Sequence, residues 1–323
     1  MKLIVGFLTY NEASAKYLAD FLPSLCASLK FLAKNDYRIL TFDNSPADNN
    51  HNRLAIEFFN REHGDLVEYL GVNENLGFSR AYNLLINKAH QLKAEYFLII
   101  NPDTILETNT TEELIRALDK EPELAAVSPK ILRWDFAANT KTKTIDSAGL
   151  VLKTGLRFKD LGQGQADSLQ FEKVKIIGPS GAAGLFRLSA LEKIKENGQY
   201  FDERFFMYKE DCDLAYRLSR AKLSAKLVSS AVIYHDRTAA SSGSGLWRTL
   251  FDRQKKSKQI RSWSFLNQHL LFVKHFKTQN TVNKIIIVLR VVSMFLFSLI
   301  LEQFLLKTYR QLRLYSQVLT NVK

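Results

Sequence analysis

Four short apolar runs, at residues 3–8, 37–42, 66–70 and 96–100, alternate with longer segments whose apolar positions recur at helical spacing. No other feature constrains the fold as strongly. Apolar runs of five or six residues, bounded by turn formers, read as strands covered on both faces. The segments at 13–34, 51–63 and 80–93 read as helices. Strand–helix alternation of this kind predicts an α/β fold, a mostly parallel sheet flanked by helices. With 323 residues the chain is long enough for one large domain or two smaller ones.

In such sheets, ligands bind beyond the carboxyl ends of the strands. Thr9, Asn11, Asp43, Asn73, Asn75 and Asp103 occupy those ends. Singly, each reads equally well as a turn former or helix cap; their recurrence after every early strand points to a site. The run at 3–8 is too short for a signal-peptide core and leads straight into Thr9-Tyr10-Asn11-Glu12, so it reads as the first strand. Two cysteines, Cys26 and Cys212, form neither a metal-ligand pattern nor a disulfide scaffold, which fits a reducing, cytoplasmic setting.

Further along, a strand is expected at 174–177, followed by Gly178-Pro179-Ser180-Gly181. Residues 205–218 mix aromatics with acids and then read as a helix, with Glu210 and Asp211 at its start, and a strand over 227–234 ends at His235. Three groups there and at Asp103 bear on chemistry. Asp103, in Asn101-Pro102-Asp103 at a strand end, is a candidate ligand for Mg²⁺ or Mn²⁺, which prefer oxygen donors; the same tripeptide also reads as a turn with a helix cap. Glu210, Asp211 and Asp213 place three carboxylates within four residues, and mutual repulsion with partial burial would tune one as a base. Acids complementing a helix dipole are the alternative. His235 suits a metal or a phosphate, or a structural role. The glycines of 178–184, with Arg187, suggest backbone approaching a ligand, or a tight turn. Cys212 reads as helix packing.

Taken in order, these motifs resemble family 2 glycosyltransferases with their GT-A fold, in particular the rhamnosyltransferase-like branch. The resemblance covers about residues 1–240. It is carried by Thr9-Tyr10-Asn11, Asp43-Asn44-Ser45, the run from Asn73 to Asn83, Asn101-Pro102-Asp103, Asp146-Ser147-Ala148-Gly149, residues 181–187, Phe201-Asp202-Glu203, Glu210-Asp211-Cys212-Asp213-Leu214 and His235. It implies an inverting transfer from a nucleotide-sugar donor, first of all dTDP-rhamnose, to a lipid-linked or glycan acceptor. It also implies roles. Thr9, Asn11 and Asp43 would hold the nucleoside, with Asp43 on base or ribose. Asn75, Gly77 and Arg80 would line the diphosphate region, and Asp103 with His235 would hold Mg²⁺ or Mn²⁺. Asp211 would be the base, Glu210 would lie near the acceptor, and Gly181 and Ala182 would form the acceptor side. Many relatives carry Asp-X-Asp where this chain has Asn101-Pro102-Asp103, which weakens the metal site. A non-catalytic sugar-nucleotide-binding or membrane-docking subunit is the competing reading.

The charge divides the chain. Residues 241–323 hold 14 Lys/Arg and 2 Asp/Glu, the whole net charge of +12, while residues 1–240 hold 31 of each sign. A flexible stretch at 241–245 precedes a basic run at 248–258. Residues 285–301 then carry a single charge, Arg290. This pattern reads as a helical extension that spans or lies on an anionic membrane surface, or pairs in a homodimer, with nucleic acid disfavoured. The expected organisation is a GT-A domain over 1–240 and a membrane-associating extension over 241–323, at the inner face of the cell membrane. Removing residues 280–323 is expected to release the protein from membranes.

Overall fold

The structure, a computed structural model, describes residues 1–47, 50–236, 253–254 and 256–313. The stretch at 241–245 and part of the basic run at 248–258 lie outside the described residues.

Strands β1 (Leu3–Thr9), β2 (Tyr37–Asp43), β3 (Val67–Gly71) and β4 (Tyr96–Ile100) run parallel in the order β3-β2-β1-β4. Between them lie α1 (Asn11–Ala15), α2 (Leu18–Leu29), α3 (His51–His63) and α4 (Gly77–Gln91). The one helix expected over 13–34 is therefore two. Residue alternation puts Leu3, Val5 and Phe7 of β1 on the face covered by α2 and α3, and Ile4 on the face covered by α4. Each such side chain, fully buried, contributes about 1.5–3 kcal/mol.

Past β4 the sheet is mixed. β5 (Thr104–Leu106) and α5 (Thr110–Lys120) lead to the long β6 (Leu124–Asp135), whose far half pairs with β7 (Thr140–Ser147). β8 (Leu150–Lys153) and β9 (Arg157–Asp160) make a separate hairpin. β10 (Ala183–Arg187) inserts antiparallel between β4 and β6 and runs into the short α6 (Leu188–Lys193). After α7 (Glu210–Arg220), β11 (Ser224–His235) lies parallel to β6, and β5 closes the edge antiparallel to β11. The carboxyl ends of β1, β2, β4 and β11 and the amino ends of β5 and β10 thus share one edge of the sheet.

One expected element differs. Residues 174–177 form no strand; Ile176 and Gly178 make single bridges to Ala225 and Leu150. Ile176 instead fills the space over Gly149, where an added Cβ would lie 2.6 Å from its Cδ1. The helix α7 begins at Glu210, as expected, directly after Tyr208 and Lys209, which are both left-handed, with φ of 75° and 74°.

Two further helices, α8 (Lys258–His275) and α9 (Thr281–Ile300), pack behind α7. Leu270, Leu271 and Phe272 of α8 and Ile287 of α9 share a core with Cys212, Ala215 and Tyr216 of α7 and with Leu156 and Phe158 of the β8–β9 hairpin. Cys212 is a packing residue, as expected, and burial pushes its thiol pKa well up.

Candidate functional site

Asp43 ends β2 as the hub of a polar cluster and is 2% exposed. Its Oδ1 accepts from Thr9 Oγ1 at 2.9 Å, Ser45 Oγ at 2.7 Å and Ser45 N at 3.2 Å, with Asn52 Nδ2 at 3.4 Å. Its Oδ2 accepts from Asn50 Nδ2 at 2.7 Å and Tyr69 Oη at 2.5 Å. Asn50 also caps α3, taking the N–H groups of Asn52 and Arg53. Asn11 joins through its N–H to Ser45 Oγ, 2.7 Å, from a left-handed backbone, φ 45°. The Asp43 carboxylate is therefore committed to the crevice wall, and a direct bond to a base or ribose requires Asn50 or Tyr69 to give way. Asn50, Asn52 and Tyr69 were not singled out by sequence, since two lie on a helix start and one inside a strand.

Asp103 and His235 meet because His235 ends β11 opposite Thr104 of β5. Asp103 Oδ2 lies 3.3 Å from His235 Nε2, and Asp146 Oδ2 lies 2.9 Å from Nδ1. Burial alone lowers the His235 pKa, but the charges and hydrogen bonds of Asp103 and Asp146 outweigh it and push it up to about 10. Asp103 Oδ1 is buried without a partner. An orphaned carboxylate oxygen beside an imidazole whose other nitrogen is fixed by a second carboxylate fits a divalent cation, provided the cation displaces the proton on Nε2. Among the described residues no three or more His, Cys, Asp or Glu side chains converge on one point. The fit is therefore to an ion held by two protein ligands and completed by phosphate oxygens.

Asp211 and Glu210 start α7 but occupy different environments. Asp211 Oδ2 accepts the Gly181 N–H at 3.0 Å, and Oδ1 accepts the Cys212 N–H at 2.7 Å. Ala182, next in line, takes the Asn101 N–H at 2.9 Å on its carbonyl, which links the Asp211 side of the crevice to the Asp103 turn. A small void of about 10 Å³, room for about one water, lies beside Asp211, lined by Phe78, Pro179, Ser180, Gly181 and Phe201 among others. Glu210 turns inward and is buried, with Oε2 unpartnered. Burial, and then the Asp211 charge, pushes its pKa well up, favouring the protonated form. The structure thus holds Asp211 at the crevice and draws Glu210 into the protein.

Other predicted positions are more mixed. Asn75 Oδ1 accepts the Gly77 N–H at 2.9 Å and shapes the entry to α4. Gly77, with φ 73°, is required by packing: a Cβ there would lie 2.4 Å from the Phe206 carbonyl oxygen. Arg80 is exposed on the first turn of α4. Arg187 lies at the far end of β10 from Gly181, where it donates to the Leu118 and Leu124 carbonyls and stacks on Tyr96, so it serves the fold.

Behind the site is a buried ion cluster with no obvious sequence signature. Asp213 receives Arg217 Nε at 2.8 Å, Lys274 Nζ at 2.9 Å and His275 Nε2 at 2.7 Å. Lys274 also meets Asp202 and Glu196, each at 2.9 Å. Burial would raise the Asp213 pKa, but Lys274, Arg217 and His275 hold it far below the usual carboxylate range.

The sequence profile of "Glycosyl transferase family 2" matches residues 5–195. The N-acetylglucosaminyl-diphospho-decaprenol L-rhamnosyltransferase of Mycobacterium tuberculosis is 24% identical over 231 residues, 66% of this chain and 71% of that protein. Among solved structures, the mannosyltransferase PcManGT from Pyrobaculum calidifontis, in complex with GDP-Man and Mn²⁺, superposes with TM-score 0.54 and 14% identity over 98% of this chain and 75% of its own. GalNAc-T7, with UDP, GalNAc and Mn²⁺, gives TM-score 0.55 and 11% identity over 82% of this chain; the chain spans half of that protein's length. These similarities between structures concern the fold.

Proposed function

The chain belongs to glycosyl transferase family 2, and on that premise we propose that it is an inverting, metal-assisted transferase that moves a sugar from a nucleotide donor to a lipid-linked acceptor at a membrane surface. One observation carries the reading. The Asp43 cluster, the Asp103–His235 pair and Asp211 all stand at the same edge of the sheet, across adjoining strands. Rhamnose from dTDP-rhamnose is the first donor to test, supported by the similarity to a rhamnosyltransferase whose name specifies a polyprenyl-diphosphate acceptor.

The chemistry follows from residue placement. Thr9, Asn11 and the Asp43 wall shape the nucleoside end, and the exposed Arg80 is available to the diphosphate. Asp103 and His235 would hold a divalent cation, which when bound supplies positive charge to the departing diphosphate. Asp211, with its oxygens oriented by the Gly181 and Cys212 amides, takes the proton of the acceptor hydroxyl. The hydroxyl oxygen bonds to the anomeric carbon as the bond to the diphosphate breaks, its electron pair leaving with the diphosphate oxygen, so configuration inverts. The proposed division of labour gives residues 1–240 the donor and the chemistry, and residues 241–323 the attachment to the surface where a lipid-linked acceptor resides.

The test is transfer by purified protein from a panel of nucleotide sugars to a polyprenyl-diphosphate acceptor, with and without EDTA, with the product's anomeric configuration read by NMR. Transfer with inversion from one donor is expected. Donor binding without transfer to any acceptor would instead favour the non-catalytic subunit.

A further inference from the structure

Thr281–Ile300 is long and apolar enough to cross a membrane. Its two sides, however, are used differently. One side is fastened to the body. Asn283 Oδ1 accepts the Gly155 N–H at 3.0 Å, and Arg290 Nη1 donates to the Gly155 carbonyl at 2.5 Å with its guanidinium over Phe272. Ile286 lies so close to Gly155 that a Cβ there would be 2.4 Å from it. Ile287 and Ser298 are buried, and Met294 packs on the core shared with α7. The opposite side is a continuous apolar stripe open to solvent: Val282, Ile285, Leu289, Val292, Leu296 and Ile300, each at least half exposed.

These contacts run from Asn283 to Ser298, about 22 Å of helix at 1.5 Å per residue. A helix crossing a bilayer is immersed along about 30 Å. Immersing this one would drag in the tip of the β8–β9 hairpin, where Lys153 and Arg157 flank Gly155 and are exposed. Charged side chains do not enter the hydrocarbon without a partner. A helix that offers one apolar face and keeps the other on a folded body is instead built to lie in the plane of the interface.

Charge selects the occupant. Among the described residues from Lys277 to Arg313, the basic side chains are Lys277, Lys284, Arg290, Lys307, Arg310 and Arg313. The only acid there is Glu302, buried and paired with Arg253 and Arg261, each at 2.7 Å. Apart from Arg290, which is held on the body side, these cations flank the apolar stripe along the chain; anionic lipid headgroups match them, whereas a second copy would bring like charges together.

We propose that α9 lies in the plane of an anionic bilayer surface with its exposed stripe in the acyl boundary, and that it does not cross the bilayer. The proposal rests on the membrane-surface reading above and adds the geometry of attachment. Because α9 shares a core with α7, the seat also fixes the catalytic body, with Asp211, relative to the lipid surface. Deleting residues 280–323 would remove part of that core, so the stripe itself is the better target.

The experiment uses full-length protein with phosphatidylcholine vesicles lacking or containing phosphatidylglycerol. Flotation is expected with the anionic vesicles, and Leu289→Glu with Leu296→Glu is expected to weaken it at least tenfold while transfer to a water-soluble acceptor is retained. Spin labels on Val282→Cys, Leu289→Cys, Leu296→Cys and Ile300→Cys, in a Cys26→Ser background, are expected to report one common shallow depth. A depth that is greatest near Leu289 and shallow at both ends would overturn the in-plane geometry and leave membrane attachment standing. Absent flotation with doubled mass in solution would overturn both in favour of a dimer face. Neither result touches sugar transfer, which the water-soluble acceptor reads separately.

Discussion

Asn267 of α8 donates its side-chain amide to the Tyr208 carbonyl oxygen at 2.7 Å, and to that of Met207 at 2.8 Å. Tyr208 and Lys209 hold the left-handed backbone that turns the chain into α7, two residues before Asp211. Non-glycine residues in that region cost of order 1–3 kcal/mol each and persist only when their surroundings impose them. Here a helix 60 residues away in sequence does so.

Replacing Asn267 by Leu removes both donors at similar volume. The expected result is a loss of about 1–3 kcal/mol in urea unfolding, the cost of carbonyls left without donors. A fall in kcat of about tenfold should accompany it at unchanged donor affinity, since the displaced group is the proposed proton acceptor. An equal loss of donor binding in calorimetry would place the effect elsewhere.

Asp211 and Glu210 should separate cleanly. Asp211→Asn should reduce kcat by about 10²–10⁴ with donor binding retained. Glu210→Gln replaces a buried carboxyl whose protonated form burial already favours, so less than about a threefold change is expected by the same reasoning. Steady-state kinetics on the two variants decides; equal losses would make Glu210 a participant in the chemistry.

Asp213→Asn leaves Lys274, Arg217 and His275 without their shared counter-charge. Breaking a buried pair from one side costs about 3–5 kcal/mol. The pH dependence has a defined sign. The folded pKa of Asp213 is depressed, so the stability it contributes is fully present above its unfolded value near pH 4 and is lost as pH falls toward the folded value. Urea midpoints of the two proteins should therefore differ fully at pH 7 and converge below about pH 4.

Gly77→Ala puts a methyl against the Phe206 carbonyl and forces a left-handed backbone on a residue with a side chain. A loss of more than about 1 kcal/mol is expected from the backbone alone. The Phe78 N–H to Phe206 O bond, 2.8 Å, should open with it, seen as faster amide exchange at Phe78. Substituting the exposed Arg80 by Ala should leave unfolding within about 0.5 kcal/mol of wild type while raising donor KM.

Removal of divalent metal by EDTA should abolish transfer, with recovery on adding Mn²⁺ or Mg²⁺. Asp103→Asn should raise the metal concentration needed for half-maximal rate by about 10-fold or more. Full activity in EDTA would mean that His235 and the protein alone meet the charge of the leaving group.

Several features were legible without coordinates. The four parallel strands followed from apolar runs bounded by turn formers, because period and punctuation are local properties. The polar residues at their ends followed too, since a strand end is marked by the residue that ends it. Gly77 was singled out through the family resemblance; the structure adds a packing reason, since a Cβ there would meet Phe206, 129 positions away in the numbering. The start of α7 at Glu210 was legible, but the left-handed pair at Tyr208 and Lys209 before it was not, because it is held from α8 and leaves no mark in composition.

The sequence by itself determined the strand–helix alternation, the turn chemistry at Asp43 and Asp103, and the apolar length of residues 285–301, all set by neighbours along the chain. Only the tertiary structure decided that β10 enters the sheet antiparallel and brings Gly181 to Asp211, that Lys274 and His275 close on Asp213, and that α9 has one face on the body and one open. Hydropathy counts apolar groups around a helix without regard to side, whereas pairing across 30 or more residues and the choice of which face is covered depend on what long-range packing places beside them.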